Sequence, residues 1–254
     1  MIPTLTLEDL NGGVYNFNPT FWIGPGNISN NTNIVNKFYA AGGANVADAY
    51  LNATNLSLEG SIQGDTPAEF EAKKKDLADA CLKGGKLRYS DDTIDRYKDI
   101  LFAGISYQQE QGRLFQEYTI DFIVQFPFWQ DSIETEQTEI LSGNASFDVD
   151  NSGSNFIIMP TIEITATDSG GLPGVTMRNI SDGAGAFSYS DIQFQLGDIL
   201  IINSTEGTVK LNNGDRISNY NPAVFLRLQP TINTIEYEGG PCSITIKYKK
   251  VYLL

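Results

Sequence analysis

The side chains able to do chemistry in this 254-residue sequence are mostly carboxylates. There are 31 Asp and Glu against 17 Lys and Arg, with two Cys and no His. Without an imidazole there is no His-dependent triad, no His-ligated zinc or haem and no histidine general base. A catalyst would have to use carboxylates, Lys, Tyr, Ser or the thiols. Paired carboxylates can hydrolyse glycosides, and the candidates are Asp91-Asp92, Asp148 with Asp150, and Glu134, Glu136 and Glu139. Adjacent residues on a strand point to opposite faces, so Asp91 and Asp92 cannot share a site if extended. Asp148-Val-Asp150-Asn-Ser152-Gly153 begins like a calcium loop, but Met159 stands where the closing bidentate Glu belongs, so an acidic turn is expected. The pairs Gly12-Gly13, Gly42-Gly43, Gly170-Gly171 and Gly239-Gly240 read as bends, because none has the spacing of a phosphate cradle leading into a helix. Trp22 and Trp129 are the candidates for stacking on a sugar, with packing the stronger expectation for Trp129 beside Pro127. No catalytic residue, cofactor site or metal site is expected.

The net charge of −14 repels phosphate and anionic lipid, which argues against a nucleic-acid-binding or membrane-binding exterior. Residues 1–132 carry ten basic and 17 acidic groups and residues 133–254 carry seven and 14, so each half is −7 and neither is a charged tail. The N-terminal segment MIPTLTLEDL lacks the charged and apolar regions of a secretory signal, and no apolar run approaches the roughly 20 residues of a membrane helix. Cys81 and Cys242 read as two partly buried thiols, not a disulfide framework. A protein made in a reducing cytoplasm is expected.

One segment carries helical signals. Thr66-Pro67-Ala68-Glu69 supplies an N-cap, a proline at the first position and a glutamate able to close a capping box. Phe70, Leu77, Ala78, Cys81 and Leu82 then form the expected apolar stripe, with Lys73, Lys74, Lys75 and Asp76 on the wet side and Gly84-Gly85 at the end. Most of the remaining chain alternates with period two. Strands are expected from Leu56 to Ile62, over Lys86–Tyr89 and Ile100–Tyr107, and from Phe115 to Phe126, with Gln108–Gly112 as a hairpin connection. The strand stops at Phe126-Pro127-Phe128-Trp129, and the polar, acidic run from Ser132 to Glu139 reads as a boundary between domains of residues 1–132 and 133–254. Beyond it, short strands are expected at Ile157–Thr165, Val175–Ile180, Ile192–Phe194, Asp198–Ile202, Gly207–Leu211, Phe225–Leu228, Thr234–Tyr237 and Ser243–Tyr248. Asn212-Asn213-Gly214-Asp215 is a tight turn among them, and the pattern suits an antiparallel β-sandwich.

The order of these elements resembles the distal tail protein (Dit) family of long-tailed, siphovirus-like phages. The likeness runs over almost the whole chain. Asn36-Lys-Phe-Tyr39 with Gly42-Gly-Ala-Asn-Val46 leads into Leu56-Ser-Leu-Glu-Gly-Ser-Ile62 like that family's first loop and core strands. Ile120-Asp-Phe-Ile-Val-Gln-Phe-Pro-Phe-Trp129 is similar to its inter-domain exit, and Asn151-Ser-Gly-Ser-Asn155 with Met159-Pro-Thr-Ile-Glu-Ile164 to the opening of its second domain. Leu196-Gly-Asp-Ile-Leu-Ile-Ile202, Leu228-Gln-Pro-Thr-Ile-Asn-Thr-Ile235 and Cys242-Ser-Ile-Thr-Ile-Lys-Tyr248 resemble its closing strands.

The resemblance implies a mainly β protein: an N-terminal β-sandwich-like domain with one α-helix and a β-hairpin, then a C-terminal galectin-like antiparallel β-sandwich. It implies a hexameric ring at the phage tail tip or baseplate, joining the tail tube protein to tail-associated fibre or spike proteins and to receptor-binding or side-fibre proteins, with DNA passing through the lumen unbound. The protein would belong to the virion and be assembled in the host cytoplasm, with no membrane insertion. Sugar binding is not carried over, because the second half has no His and Arg178, Arg216 and Arg227 lack a nearby Trp. Residues 27–50 show few core signals for their length. They are expected to meet a neighbouring protomer through Phe38, Tyr39 and Val46. The alternative is a lectin-like carbohydrate-binding protein using Trp22 or Trp129; an enzyme is not expected.

Overall fold

Helix α1 (Pro67–Lys83) starts where its capping residues stand. The Thr66 hydroxyl accepts from the Glu69 N–H at 3.2 Å, and Glu69 Oε2 accepts from the Asp65 N–H at 3.0 Å. Phe70, Leu77 and Cys81 are its buried positions, at spacings of seven and four. Leu82, expected in the same stripe, is 71% exposed: it lies one residue, about 100°, past Cys81 and turns outward. Lys74 departs the other way. Its stem is half-buried, with Nζ 5.3 Å from the Phe70 ring and 5.1 Å from the Tyr107 ring. The Gly84 N–H bonds the Cys81 carbonyl, and its extended backbone (φ −53, ψ 139) starts the strand Gly84–Ser90 with no loop between.

The computed structural model describes residues 4–9, 12–17, 54–90, 93–108, 114–124, 128–183, 185–221 and 224–252. They divide into two units, Met1–Trp129 and Gln130–Leu254. In the first, β1 (Thr4–Asp9), β2 (Val14–Asn16), β3 (Thr54–Gln63), β4 (Gly84–Ser90), β5 (Asp95–Tyr107) and β6 (Phe115–Val124) pair antiparallel in the order β2-β1-β4-β5-β6-β3. Thirteen-residue β5 joins two halves: Asp95–Asp99 pair with β4 and Ile100–Tyr107 with β6, a bulge between Phe102 and Gly104 absorbing the bend. Helix α1 packs on β1, β2, β3 and β5, so both ends of the curled sheet reach it. Leu7, Ile120 and Phe122 join Leu77 and Cys81 in a core closed to water.

The second unit is two antiparallel sheets. One has six strands, in the order β15 (Gly214–Asp215), β14 (Thr208–Leu211), β13 (Ile199–Asn203), β10 (Thr161–Ala166), β18 (Cys242–Tyr248) and β8 (Thr135–Leu141). The other has five: β16 (Tyr220–Asn221), β12 (Phe187–Ser190), β11 (Gly174–Asn179), β17 (Ile232–Gly239) and β9 (Ala145–Asp150). Strict alternation in β10, β11 and β18 buries one face of each sheet. Short strands β7 (Trp129–Asp131) and β19 (Val251–Tyr252) complete the description.

Three expectations change. The acidic run expected to hold the domain boundary is strand from Thr135 onward, because edge strand β8 tolerates polar side chains on both faces. Ile192–Phe194 forms turns, held by the Asp191 carboxylate accepting from the Gln193 N–H at 2.9 Å. Phe225–Leu228 is not a strand either: Leu228 alone makes a bridge, to Ile158.

Candidate interaction surfaces

Four of the candidate carboxylates, Asp148, Asp150, Glu136 and Glu139, are engaged in hydrogen bonds or an ion pair. Asp148 accepts from the Thr234 hydroxyl at 2.8 Å, and the pKa of Asp150 is held below the usual range by the Ser152 side chain first and then by the Ser152 N–H, which donates to it at 2.7 Å. That bond closes an Asx turn where the sequence suggested the start of a calcium loop. Glu136 faces Lys247 across the β8–β18 pair at 3.7 Å, and Glu139 accepts from Gln137 at 3.0 Å. Glu69, Asp79, Asp150, Asp191 and Asp198 are held below the usual carboxylate range by hydrogen bonds, whereas a general acid needs the opposite shift. Among the described residues, no group of three His, Cys, Asp or Glu could hold a metal ion. Both thiols are buried and free, and burial pushes Cys81 up to about 11. No described helix is long and apolar enough to cross a membrane.

Several described cations are engaged as well. Lys73 pairs with Glu69 at 2.7 Å and Lys75 with Asp79 at 2.7 Å on the exposed face of α1. Lys247 lies 2.9 Å from Glu163. Arg178 pairs with Glu236, Arg216 with Asp191 at 3.2 Å, and Arg227 with Asp182 at 3.0 Å. The three arginines of the second unit are therefore committed to carboxylates. Trp129 is buried, edge-on to Tyr89 at 6.0 Å, with Lys98 Nζ 4.9 Å from its ring centre. Phe38, Tyr39, Val46, Trp22, Asp91 and Asp92 lie outside the described residues.

What remains for recognition is surface. Across the outer face of the six-stranded sheet, pairing registers align Ile140, Ser243, Thr165 and Ile199 in one row, and Thr138, Thr245, Glu163, Ile201 and Lys210 in the next. Ile140 is 82% exposed. The outer face of the five-stranded sheet carries Asp148, Asp150, Glu236 and Glu238, with Arg178 paired to Glu236. Sequence reading missed both faces. Alternation shows which residues share a strand face, but the lateral rows exist only once the strand order is known.

Fold and side-chain chemistry together define a two-unit, mainly antiparallel β protein whose described ionisable groups stabilise turns, edges and ion pairs. Residues 153–252 match the family described as siphovirus-type tail component, C-terminal domain. The structure is similar to that of the Dit protein of phage SPP1, described as a paradigm of the hub of the adsorption apparatus in phages infecting Gram-positive bacteria. The TM-score is 0.60, with 16% identity over 78% of this chain and 79% of that one. Two structures of the phage p2 baseplate in its activated conformation, with Ca and with Sr, each cover 98% of both chains at 13% identity, with TM-scores of 0.43 and 0.39, too low to define a fold. No curated protein matches the sequence. The family match thus covers the C-terminal part of the chain, and the likeness to SPP1 Dit is one of fold.

Proposed function

We propose that this chain is a structural hub of a phage tail tip or baseplate, forming a hexameric ring that joins the tail tube to tail-associated fibre or spike proteins and to receptor-binding or side-fibre proteins. One observation carries the reading: the second unit matches the C-terminal domain of a siphovirus tail component over residues 153–252. In this reading residues 1–132 build the ring, and a galectin-like domain of residues 133–254 faces outward to dock adhesins. Phe38, Tyr39 and Val46 contact the neighbouring protomer. The protein is non-enzymatic, resides in the virion after assembly in the host cytoplasm, and lets DNA slide through its lumen.

The charge pattern supports the last point. A −14 protomer repeated around a ring repels a polyanion, and Lys73, Lys75 and Lys247 each face a carboxylate. The reading is tested by size-exclusion chromatography with light scattering and electron microscopy, with and without other tail-tip proteins. A six-membered ring that the Phe38→Ala/Tyr39→Ala/Val46→Ala variant abolishes is expected. The absence of any ring in either condition overturns it, and a lumen lined by Lys73–Lys75 or by Lys247, Lys249 and Lys250 overturns the repulsive lumen. Glycan-array binding that disappears on replacing a tryptophan would favour the lectin-like alternative.

A further inference from the structure

The turn between β14 and β15 holds two asparagines in opposite circumstances. Asn212 and Asn213 have φ of +49 and +69, the left-handed pair of a two-residue hairpin loop closing Leu211 against Gly214. The Asn212 amide is held at both ends: its Nδ2 donates to Asp198 at 2.6 Å and its Oδ1 accepts from the Ile199 N–H at 3.0 Å. The Asn213 side chain is exposed and enters no hydrogen bond, and Gly214 follows it, leaving no side chain to shield the next backbone nitrogen. The hairpin lies at the edge of the six-stranded sheet, and β15 is only two residues long, so local opening that frees the Gly214 N–H needs few bonds broken.

We propose that Asn213 is a site of spontaneous deamidation, an intramolecular modification that converts this edge hairpin from a neutral to an acidic, re-routed form. The Gly214 nitrogen attacks Asn213 Cγ and loses its proton, and the side-chain nitrogen leaves as ammonia, giving a cyclic imide. Water then opens the ring on either side, yielding aspartate or isoaspartate, so the step needs no oxidant, cofactor or enzyme. The new carboxylate stands beside Asp215. In the isoaspartate product the backbone gains a methylene, which a loop fixed by the Lys210–Asp215 and Leu211–Gly214 registers cannot accommodate. The next residue, Arg216, donates to both Asp191 and Gln193, so the change reaches the turn after β12. The proposal holds whether or not the chain forms a ring.

The full-length protein is incubated at neutral and mildly alkaline pH and digested. Peptides are then read by mass spectrometry and by isoaspartyl methyltransferase labelling. The sequence has one other Asn-Gly pair, Asn11-Gly12, which falls in a separate peptide. Conversion of Asn213 that grows with time and pH while Asn212 stays intact is expected, with isoaspartate in excess. Gly214→Ala, whose backbone φ is not left-handed, is expected to lose most of the conversion. Conversion of Asn213 in urea-unfolded protein but not in the folded form would overturn the proposal, because the hairpin would then be a protecting structure. Equal conversion in wild type and Gly214→Ala would overturn it as well.

Discussion

Lys98 holds its ammonium 4.9 Å from the centre of the Trp129 ring while only 3% of the residue reaches water. Burial pulls its pKa from 10.5 down to about 8. The folded state thus binds this proton more weakly than the unfolded chain. The penalty is complete below about pH 8, shrinks as pH rises toward 10.5, and is gone above it. Lys98→Met removes this titration, so the stability of the variant relative to wild type is expected to be higher at pH 7 than at pH 10. Urea midpoints of variant and wild type at both pH values check this; a gain that does not change with pH contradicts it.

Buried phenols act in the opposite sense. Burial raises the pKa of Tyr118, Tyr189, Tyr220 and Tyr237, so their stabilising effect is complete below the unfolded value near 10 and is lost as pH climbs through the folded values. Thermal melting temperature is expected to fall steeply above pH 10, with tyrosinate absorbance near 295 nm appearing together with unfolding. Tyrosinate absorbance that develops while the protein stays folded contradicts this.

On the helix, Leu77 and Leu82 differ in burial and not in chemistry. Leu77→Ala opens a cavity beneath the sheet and is expected to cost about 3 kcal/mol. Leu82→Ala, on the wet side, is expected to stay within about 0.5 kcal/mol of wild type. Paired denaturation curves separate the two.

In the second unit the fully buried Asn233 amide makes four hydrogen bonds. Its Oδ1 accepts from Asn179 and from the Gln229 N–H, each at 2.7 Å, and its Nδ2 donates to the carbonyls of Gln229 at 2.9 Å and Thr231 at 2.7 Å. These bonds hold the irregular stretch before β17. Asn233→Ala is expected to cost about 3 kcal/mol, and Asn233→Asp is expected to destabilise too, because an acceptor would then face two carbonyls. Hydrogen exchange should report loosening around Gln229–Thr231 first.

Tyr118 lies across Gly60 on the neighbouring strand, so closely that a Cβ at residue 60 would meet the phenol. Gly60→Ala is expected to cost about 2 kcal/mol by displacing the ring. Tyr118→Ala in the same chain should recover part of that cost in a double-mutant cycle.

Local chemistry in the sequence located the elements that local chemistry forms. The Thr66–Glu69 cap, the Gly84 exit and the Asn212-Asn213 turn stand where their side chains demand. The alternating strands of the second half are legible for the same reason. Strand β8 was not, because Thr135–Leu141 at a sheet edge keeps polar residues on both faces and shows no apolar period. The stretch around Leu228 misled in the other direction: the backbone carbonyls of Arg227 and Leu228 accept from the side-chain amides of Asn179 and Asn151 instead of joining a continuous strand ladder, which periodicity cannot register. The outer rows of the six-stranded sheet depend on contacts between distant segments, with β8 next to β18 across about a hundred residues, and no local pattern encodes them.

The junction at Lys83 and Gly84 has a mechanical consequence. A helix that runs into a strand without an intervening loop has no slack, and here the buried side chains of the helix grip the sheet to which that strand belongs. Tension applied along β4 would reach α1 undamped, and the two would yield together or not at all.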